Sequence, residues 1–352
     1  MTASLWRIVG ILLLGLVPLL SGCQPIQAPP EVAVASTSDV VRGTYGQWDL
    51  ALIPSYALAE DESAELAGYV NPQAMVTSGW LAANLDNPRV RLLDVRRPIG
   101  AANFAMAHIP QAQHVDLWID LMERDPNQPM MDLIGPDRFA GLMSRLGVAN
   151  DSTVIVYDAG EGTSAATLWW AMRRYGHEDV RLLNGGLVKW LMEGRETTSR
   201  VPTFDPTTYV INEQPQLLAT LTDVKQAIAD PTIFIVDARP FGYFTGDIAH
   251  AATPTIGHIP GALTMPAPWQ LTPGQKTILP AEQLAMTFDL MEITPAQRGI
   301  TYCGNGHLAA FDAFLLYLMG FENVAVYDSS WTEYGVMPDM PTETGCNQGL
   351  GL

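Results

Sequence analysis

The sequence predicts an α/β protein made of two tandem copies of one domain, each a mainly parallel sheet with helices on both faces. Two observations carry this prediction. Short apolar runs that suit strands alternate with longer runs of helical period, the pattern of strands joined by helical crossovers. The same motifs then recur in order in the second half of the chain. Leu93-Asp94-Val95-Arg96 returns as Val236-Asp237-Ala238-Arg239, and Ala107-His108-Ile109-Pro110-Gln111-Ala112 as Gly257-His258-Ile259-Pro260-Gly261-Ala262. Gly176-His177-Glu178-Asp179-Val180 returns as Gly320-Phe321-Glu322-Asn323-Val324, and Val188-Lys189-Trp190 as Thr332-Glu333-Tyr334.

Taken in order, the elements divide the chain as follows. Its 352 residues are long for one domain and suit two of ordinary size. Arg7 precedes an apolar run, 8–20, which at roughly 1.5 Å per residue is too short to cross a bilayer comfortably. The run closes on Leu20-Ser21-Gly22-Cys23, small residues directly before a cysteine. Residues 1–23 thus resemble a bacterial lipoprotein signal peptide, with Cys23 as the lipidated N-terminus after cleavage. The alternative is an ordinary secretory signal with an incidental cysteine. Either signal makes the mature chain extracytoplasmic, and the first anchors it to a bacterial membrane by lipid. Residues 24–69 read as a tether and N-terminal arm, rich in Pro, Ala, Ser and Thr to about 45 and then an irregular stretch expected to pack on the first domain.

The first domain, 70–195, has helical character over 76–85, an apolar strand at 90–95, and a helix over 139–146 closed by Gly147. A strand at 153–157, a helix over 163–175 stopped by Gly176, and a strand at 180–183 complete it. Residues 196–215, rich in Thr and Pro and without periodicity, are the linker. The second domain, 216–345, repeats the scheme, and 346–352 is a Gly-rich tail holding Cys346, read as an incidental thiol.

The chemistry lies in Tyr302-Cys303-Gly304-Asn305-Gly306-His307. A short strand (299–302) delivers the cysteine, a Gly-rich turn follows, and an apolar helix runs over 308–319. That placement points the sulfur into backbone N–H groups at a helix N-terminus, where a thiolate is stabilised. Glycines at 304 and 306 permit the backbone angles of such a cradle. The N–H groups of Gly304, Asn305, Gly306, His307 and Leu308 are the candidate anion holders, expected to lower the thiol pKa from about 8.5 toward neutrality. His307 is a candidate donor to the substrate or ion-pair partner of the thiolate, with a solvent-facing rim position as the alternative. The corresponding turn of the first half, Val154-Ile155-Val156-Tyr157-Asp158-Ala159-Gly160, carries Asp158 where the cysteine would be. One half holds the nucleophile and the other does not. A buried structural cysteine would sit among apolar residues rather than Gly-Asn-Gly-His.

Lys plus Arg number 19 against 37 Asp plus Glu, a formal charge of −18 that repels nucleic acid and leaves any anion site to be built locally. With three cysteines in all, Cys23, Cys303 and Cys346, the chain is no disulfide scaffold. A phosphatase with this type of loop needs an arginine six residues after the cysteine; Ala309 stands there.

The Asp-x-Arg strand ends, the Gly-His-Ile-Pro-Gly-Ala turn, the Cys-Gly-x-Gly loop and the closing run Ser330-Trp331-Thr332-Glu333-Tyr334 through Pro338-Asp339-Met340-Pro341 occur in this order. Over about 70–345 the chain resembles the tandem-domain rhodanese family, the thiosulfate and 3-mercaptopyruvate sulfurtransferases. The resemblance implies an inactive first domain, a catalytic second domain, an active site between them, no cofactor or metal, and a monomer. It also implies that Cys303 takes sulfane sulfur from a small anionic donor, thiosulfate, and passes it through a persulfide to cyanide or a thiol. Gly242-Tyr243-Phe244 stands where mercaptopyruvate enzymes carry Gly-Arg-Phe, and 247–256 lacks their second substrate-binding arginine. Asn305 and Leu308 replace the Ser and Thr of Cys-Gly-Ser-Gly-Val-Thr. The Cys-x-x-Gly-His form and His250 resemble the thiosulfate-using members, so thiosulfate is the expected donor and mercaptopyruvate the alternative. Arg239 and His250 are the candidate substrate-binding cations. A non-catalytic lipoprotein that binds an anion or carries sulfur is the third reading. His108 and His258, in the matched turns, are expected to fix loops.

Overall fold

The structure is a computed structural model, and it describes residues 64–345 except 98, 125–130 and 252. The signal and tether, Cys23, the tail and Cys346 lie outside the described residues.

The first domain runs β1 (Met75–Val76), α1 (Ser78–Asn84), β2 (Val90–Asp94), α2 (Ile99–Met106), β3 (Ala112–His114), β4 (Met122–Arg124), β5 (Met131–Leu133), α3 (Pro136–Arg145), β6 (Thr153–Tyr157), α4 (Thr163–Arg174), β7 (Val180–Leu183) and α5 (Gly186–Met192). The second runs β8 (Leu218–Ala219), α6 (Leu221–Ala229), β9 (Ile233–Asp237), α7 (Phe241–Thr245), β10 (Leu263–Thr264), α8 (Ala281–Leu290), β11 (Arg298–Tyr302), α9 (His307–Leu318), β12 (Val324–Tyr327) and α10 (Ser330–Tyr334).

Each domain has one five-stranded parallel sheet, ordered β1-β7-β6-β2-β3 in the first and β8-β12-β11-β9-β10 in the second. The two orders superpose strand for strand, so the duplication legible in the motifs is a duplication of topology. β4 and β5 form a separate antiparallel hairpin. β6 and β11 are the central strands, buried on both faces, and Asp158 and Cys303 follow their carboxyl ends. Loops past the carboxyl ends of central strands are where open parallel sheets place their sites.

The repeated motifs brace the sheets. In both copies the arginine of Asp-x-Arg folds back on its own aspartate: Arg96 Nε and Nη2 donate to Asp94, and Arg239 Nε and Nη2 donate to Asp237, with Nη2 reaching Ala107 O or Gly257 O. His108 and His258 are fully buried, stack on Phe104 and Phe244, and bond those residues' carbonyls through Nδ1. Both histidines thus hold loops, as expected.

α4 and α9 cross with their N-termini close together, forming the seam between the domains. Phe311 of α9 lies against Gly162, where a Cβ would meet its ring. One core cluster runs across the seam, joining Trp169 and Trp170 to Phe311 and Phe314. At about 25 cal/mol per Å² of apolar area buried, large aromatic side chains supply a major share of such an interface. Of the arm, residues 64–69 are described. Tyr69 Oη donates to Leu279 O of the second domain, and the first residues of the first domain, Val70 and Asn71, donate their N–H groups to Leu318 O. Glu65 meanwhile pairs with Lys189 of the first domain. The described end of the arm, 64–69, therefore touches both domains.

Candidate active site

Cys303 leaves β11 with its side chain fully buried and its amide donating to Ser330 Oγ at 3.0 Å. The chain then turns through Gly304 and Asn305 to Gly306, whose φ of +79° makes it the left-handed N-cap of α9. Three backbone N–H groups, those of Ala309, Asn305 and Leu308, are directed at the sulfur and favour its charged form. Two of them belong to the first turn of α9, where N–H groups have no partner within the helix and the helix dipole is positive.

The expected donors are corrected in part. Gly306 N donates to Ser330 Oγ at 3.0 Å, and Gly304 takes part through its carbonyl, which accepts from Thr332 N. Ala309 enters as well, because it lies in the first turn of α9, where N–H groups have no partner within the helix. Ser330, which sequence reasoning passed over, is the brace of the loop. It accepts from Cys303 N and Gly306 N and donates to Tyr327 O, while holding the unusual φ of +49°. The repeat contained a signal for it: the matched position is Gly186, also left-handed at +55°.

The pKa expectation is also corrected. Burial pushes the Cys303 thiol above its ordinary value, and the three N–H groups only partly offset that. Desolvation acts on the whole charge, whereas each amide returns a fraction of the lost hydration. The loop is therefore built to accept an anion, but the resting thiol is protonated at neutral pH.

The first-domain loop holds a carboxyl group of its own in the same place. Asp158 Oδ1 accepts from Gly160 N and Gly162 N at 2.9 and 3.0 Å, and Oδ2 from Ser164 N and Ala165 N at 3.0 and 3.2 Å. Gly162, at +73°, caps α4 as Gly306 caps α9. The donors at 160, 164 and 165 therefore match those at 305, 308 and 309. One cradle is filled by a carboxylate and the other by a sulfur.

The remaining candidates separate clearly. His307 is buried at the seam, not at a solvent rim. Thr167 Oγ1 donates to Thr163 O, which leaves it to accept from His307 Nδ1–H at 2.9 Å. Nε2 then accepts from Arg97 Nη2 at 2.9 Å and Thr163 Oγ1 at 3.2 Å. Burial and the Arg97 charge push its pKa down to about 3, so His307 is a neutral ring and no ion-pair partner for a thiolate. Arg239 is likewise unavailable as an anion binder by its Nε and Nη2: these are spent on Asp237 and Gly257 O, with the guanidinium over the Trp331 ring at 4.2 Å. Tyr302 Oη completes that cluster by donating to Asp237 at 2.6 Å.

His250 is half-buried beside the loop, its Nε2 3.3 Å from where a Cβ on Gly304 would lie. Burial, and then the Arg239 charge, lower its pKa, so it stands at the mouth as a neutral ring. Asn305 and Leu308, both part-exposed, contribute their main-chain N–H groups. No group of three or more acidic, His or Cys side chains able to hold a metal occurs among the described residues.

Fold and site define a two-domain α/β protein that presents a single cysteine in a nest of amides at the seam. The Rhodanese-like domain family matches residues 77–193 and 220–336, and the chain belongs to that family, with two such domains in tandem. It is 34% identical over 290 residues to a sulfur carrier protein of Thermus thermophilus, covering 79% of this chain and 99% of that one. It is also 34% identical over 291 residues to a thiosulfate sulfurtransferase of Corynebacterium glutamicum, covering 79% and 93%. A crystal structure of a 3-mercaptopyruvate sulfotransferase from Escherichia coli matches with a TM-score of 0.65 and 30% identity, over 73% of this chain and 98% of that one.

Proposed function

We propose that the protein is a rhodanese-type sulfurtransferase that carries sulfane sulfur from thiosulfate to cyanide or a thiol on Cys303. The observation that carries this reading is the convergence of three N–H groups on a sulfur at the carboxyl end of the central strand. The Cys303 thiolate attacks the outer sulfur of thiosulfate, the S–S bond of the donor breaks, and its electron pair leaves with sulfite. Cys303 is left as a persulfide anion. Cyanide carbon then attacks the terminal sulfur, thiocyanate departs, and the thiolate is restored, so the kinetics are ping-pong. Both reacting states of the sulfur, thiolate and persulfide, are anionic, and the same amides serve both without reorganising. Mercaptopyruvate remains the second donor: the arginines that would fork its carboxylate are absent from 242–244 and 247–256.

The test is cyanide-dependent thiocyanate release from thiosulfate, together with the intact mass of the chain. Wild type should gain one sulfur (about 32 Da) that cyanide removes, and Cys303→Ser should do neither. Because the thiol pKa is raised, the thiolate fraction and the rate of the first half-reaction should rise about tenfold per pH unit from neutrality toward that pKa. A Cys303→Ser protein that still releases thiocyanate would refute the assignment.

The mature chain is proposed to begin at a lipidated Cys23 outside the cytoplasm, supported by the small residues that precede it after a 13-residue apolar run, 8–20. Metabolic labelling with a radioactive fatty acid should mark the wild type and not Cys23→Ala. Equal labelling of both would dismiss the anchor.

A further inference from the structure

We propose that the anion-recognition cation of this site comes from the first domain, and that it is Arg97. The inference rests on the sulfurtransferase reading and names the residue that binds the donor's charged end. An anionic donor must approach a chain of formal charge −18, so at least one local cation is needed at the mouth. In the second domain, Lys276 lies against Gly160 of the first-domain loop rather than on the cysteine loop. Arg239 is bound to Asp237 and stacked on Trp331, and His250 is held toward its neutral form.

Arg97 fills that gap from across the seam. It directly follows the Asp94–Arg96 brace, which fixes the strand end from which it projects, and it is exposed. Its Nη2 donates to Nε2 of His307, the first residue of α9 and four residues from Cys303. No carboxylate lies within ion-pair distance of Arg97 among the described residues, and its anchor is the Nη2 bond to His307, whose ring nitrogen also accepts from Thr163 Oγ1. The partner matters. A neutral histidine fixes the guanidinium in place without cancelling its charge, whereas a carboxylate would neutralise it. The deep burial that keeps His307 uncharged thus makes it an anchor that does not cancel the charge of the exposed Arg97. Glu161, whose carboxyl feels the fields of Asp158, Arg97 and Lys276, is the nearby anion with which a donor must compete. A planar guanidinium presents parallel N–H groups, the geometry that suits two oxygens of a sulfonate or carboxylate.

The test separates binding from chemistry. Calorimetry of thiosulfate against Cys303→Ser measures anion binding where no sulfur can move, and the same titration is repeated with Cys303→Ser/Arg97→Gln and Cys303→Ser/Arg97→Lys. The glutamine variant should bind roughly ten- to a hundredfold more weakly, the loss expected for a charge-assisted hydrogen bond, with lysine in between. In the otherwise wild-type chain, Arg97→Gln should raise the KM for thiosulfate and the inhibition constant of sulfate by similar factors. Thiosulfate affinity and sulfate inhibition unchanged by Arg97→Gln would overturn the inference even if the wild type transfers sulfur. A wild type that forms no persulfide, while Cys303→Ser still loses thiosulfate on Arg97→Gln, would instead remove the enzyme reading and leave the anion site standing.

Discussion

Gly306→Ala is expected to abolish sulfur transfer while leaving the chain folded. Gly306 has a φ of +79°, where a side chain costs about 1 kcal/mol. Space is the larger problem. A Cβ would lie 2.7 Å from Asp328 O and 3.0 Å from Asp328 Cα, and closer still to its carboxylate. These are main-chain atoms at the end of β12, and the Asp328 side chain is itself held by Leu133 N of the first domain at 2.8 Å. The neighbour cannot withdraw, so the cysteine loop must. Strain of this type costs roughly 2–4 kcal/mol together with the φ term. Moving the loop turns the Leu308 and Ala309 N–H groups off the sulfur, and losing one such donor in other enzymes costs about 10²–10³ in rate. Steady-state thiocyanate release should therefore fall at least a hundredfold, with a far-UV circular dichroism spectrum like that of wild type. Activity within a factor of three would mean the cradle is not what activates Cys303.

Asp158→Ala should produce the opposite separation, a large loss of stability with the persulfide chemistry retained. The carboxylate is the acceptor for four N–H groups in a loop that is otherwise buried. Removing it strands those donors, and each buried donor left unpaired costs about 1–3 kcal/mol. Part of this is returned, because burial disfavours the charge of Asp158 in the first place. For a chain of this size each kcal/mol lowers Tm by about 2–4 °C, so a fall of roughly 10 °C is expected. Asp158→Asn should not rescue it: the amide nitrogen would face either Gly160 and Gly162 or Ser164 and Ala165, all donors. Below the new Tm, Cys303 should still gain one sulfur from thiosulfate. An unchanged melting curve would show that the first-domain loop does not depend on its anion.

Both expectations come from a comparison that the sequence already invited. Setting Asp158 opposite Cys303 needed only local patterns: an apolar run of strand length, a Gly-rich turn and a helix of the right period. Those patterns are written in neighbouring residues, which is why the strand ends, the helix starts and the repeat were all legible. The helix over 308–319 was placed within one residue at each end of α9, His307–Leu318. Loop-fixing roles for His108 and His258 could be read the same way, because their motif recurs in both copies.

The role of Arg239 could not be read locally. It stands at the right strand end for a substrate cation, yet its guanidinium closes on an aspartate two residues back and on Trp331, 92 positions ahead. His307 failed for the same reason. Its partners Thr163, Thr167 and Arg97 lie 140 to 210 residues away in the chain, in the other domain.

The sequence by itself determined the α/β class, the duplication, the one cysteine in a glycine-rich turn, and the acidic charge that forces any anion site to be local. These depend on residue types at short spacing, where side-chain period and backbone freedom act directly. Only the tertiary structure decided the charge states and partners: a thiol pushed up rather than down, a histidine kept neutral, one arginine tied down and another left exposed at the seam. Burial and the field of distant groups fix such properties, and both exist only once the two domains have closed on each other.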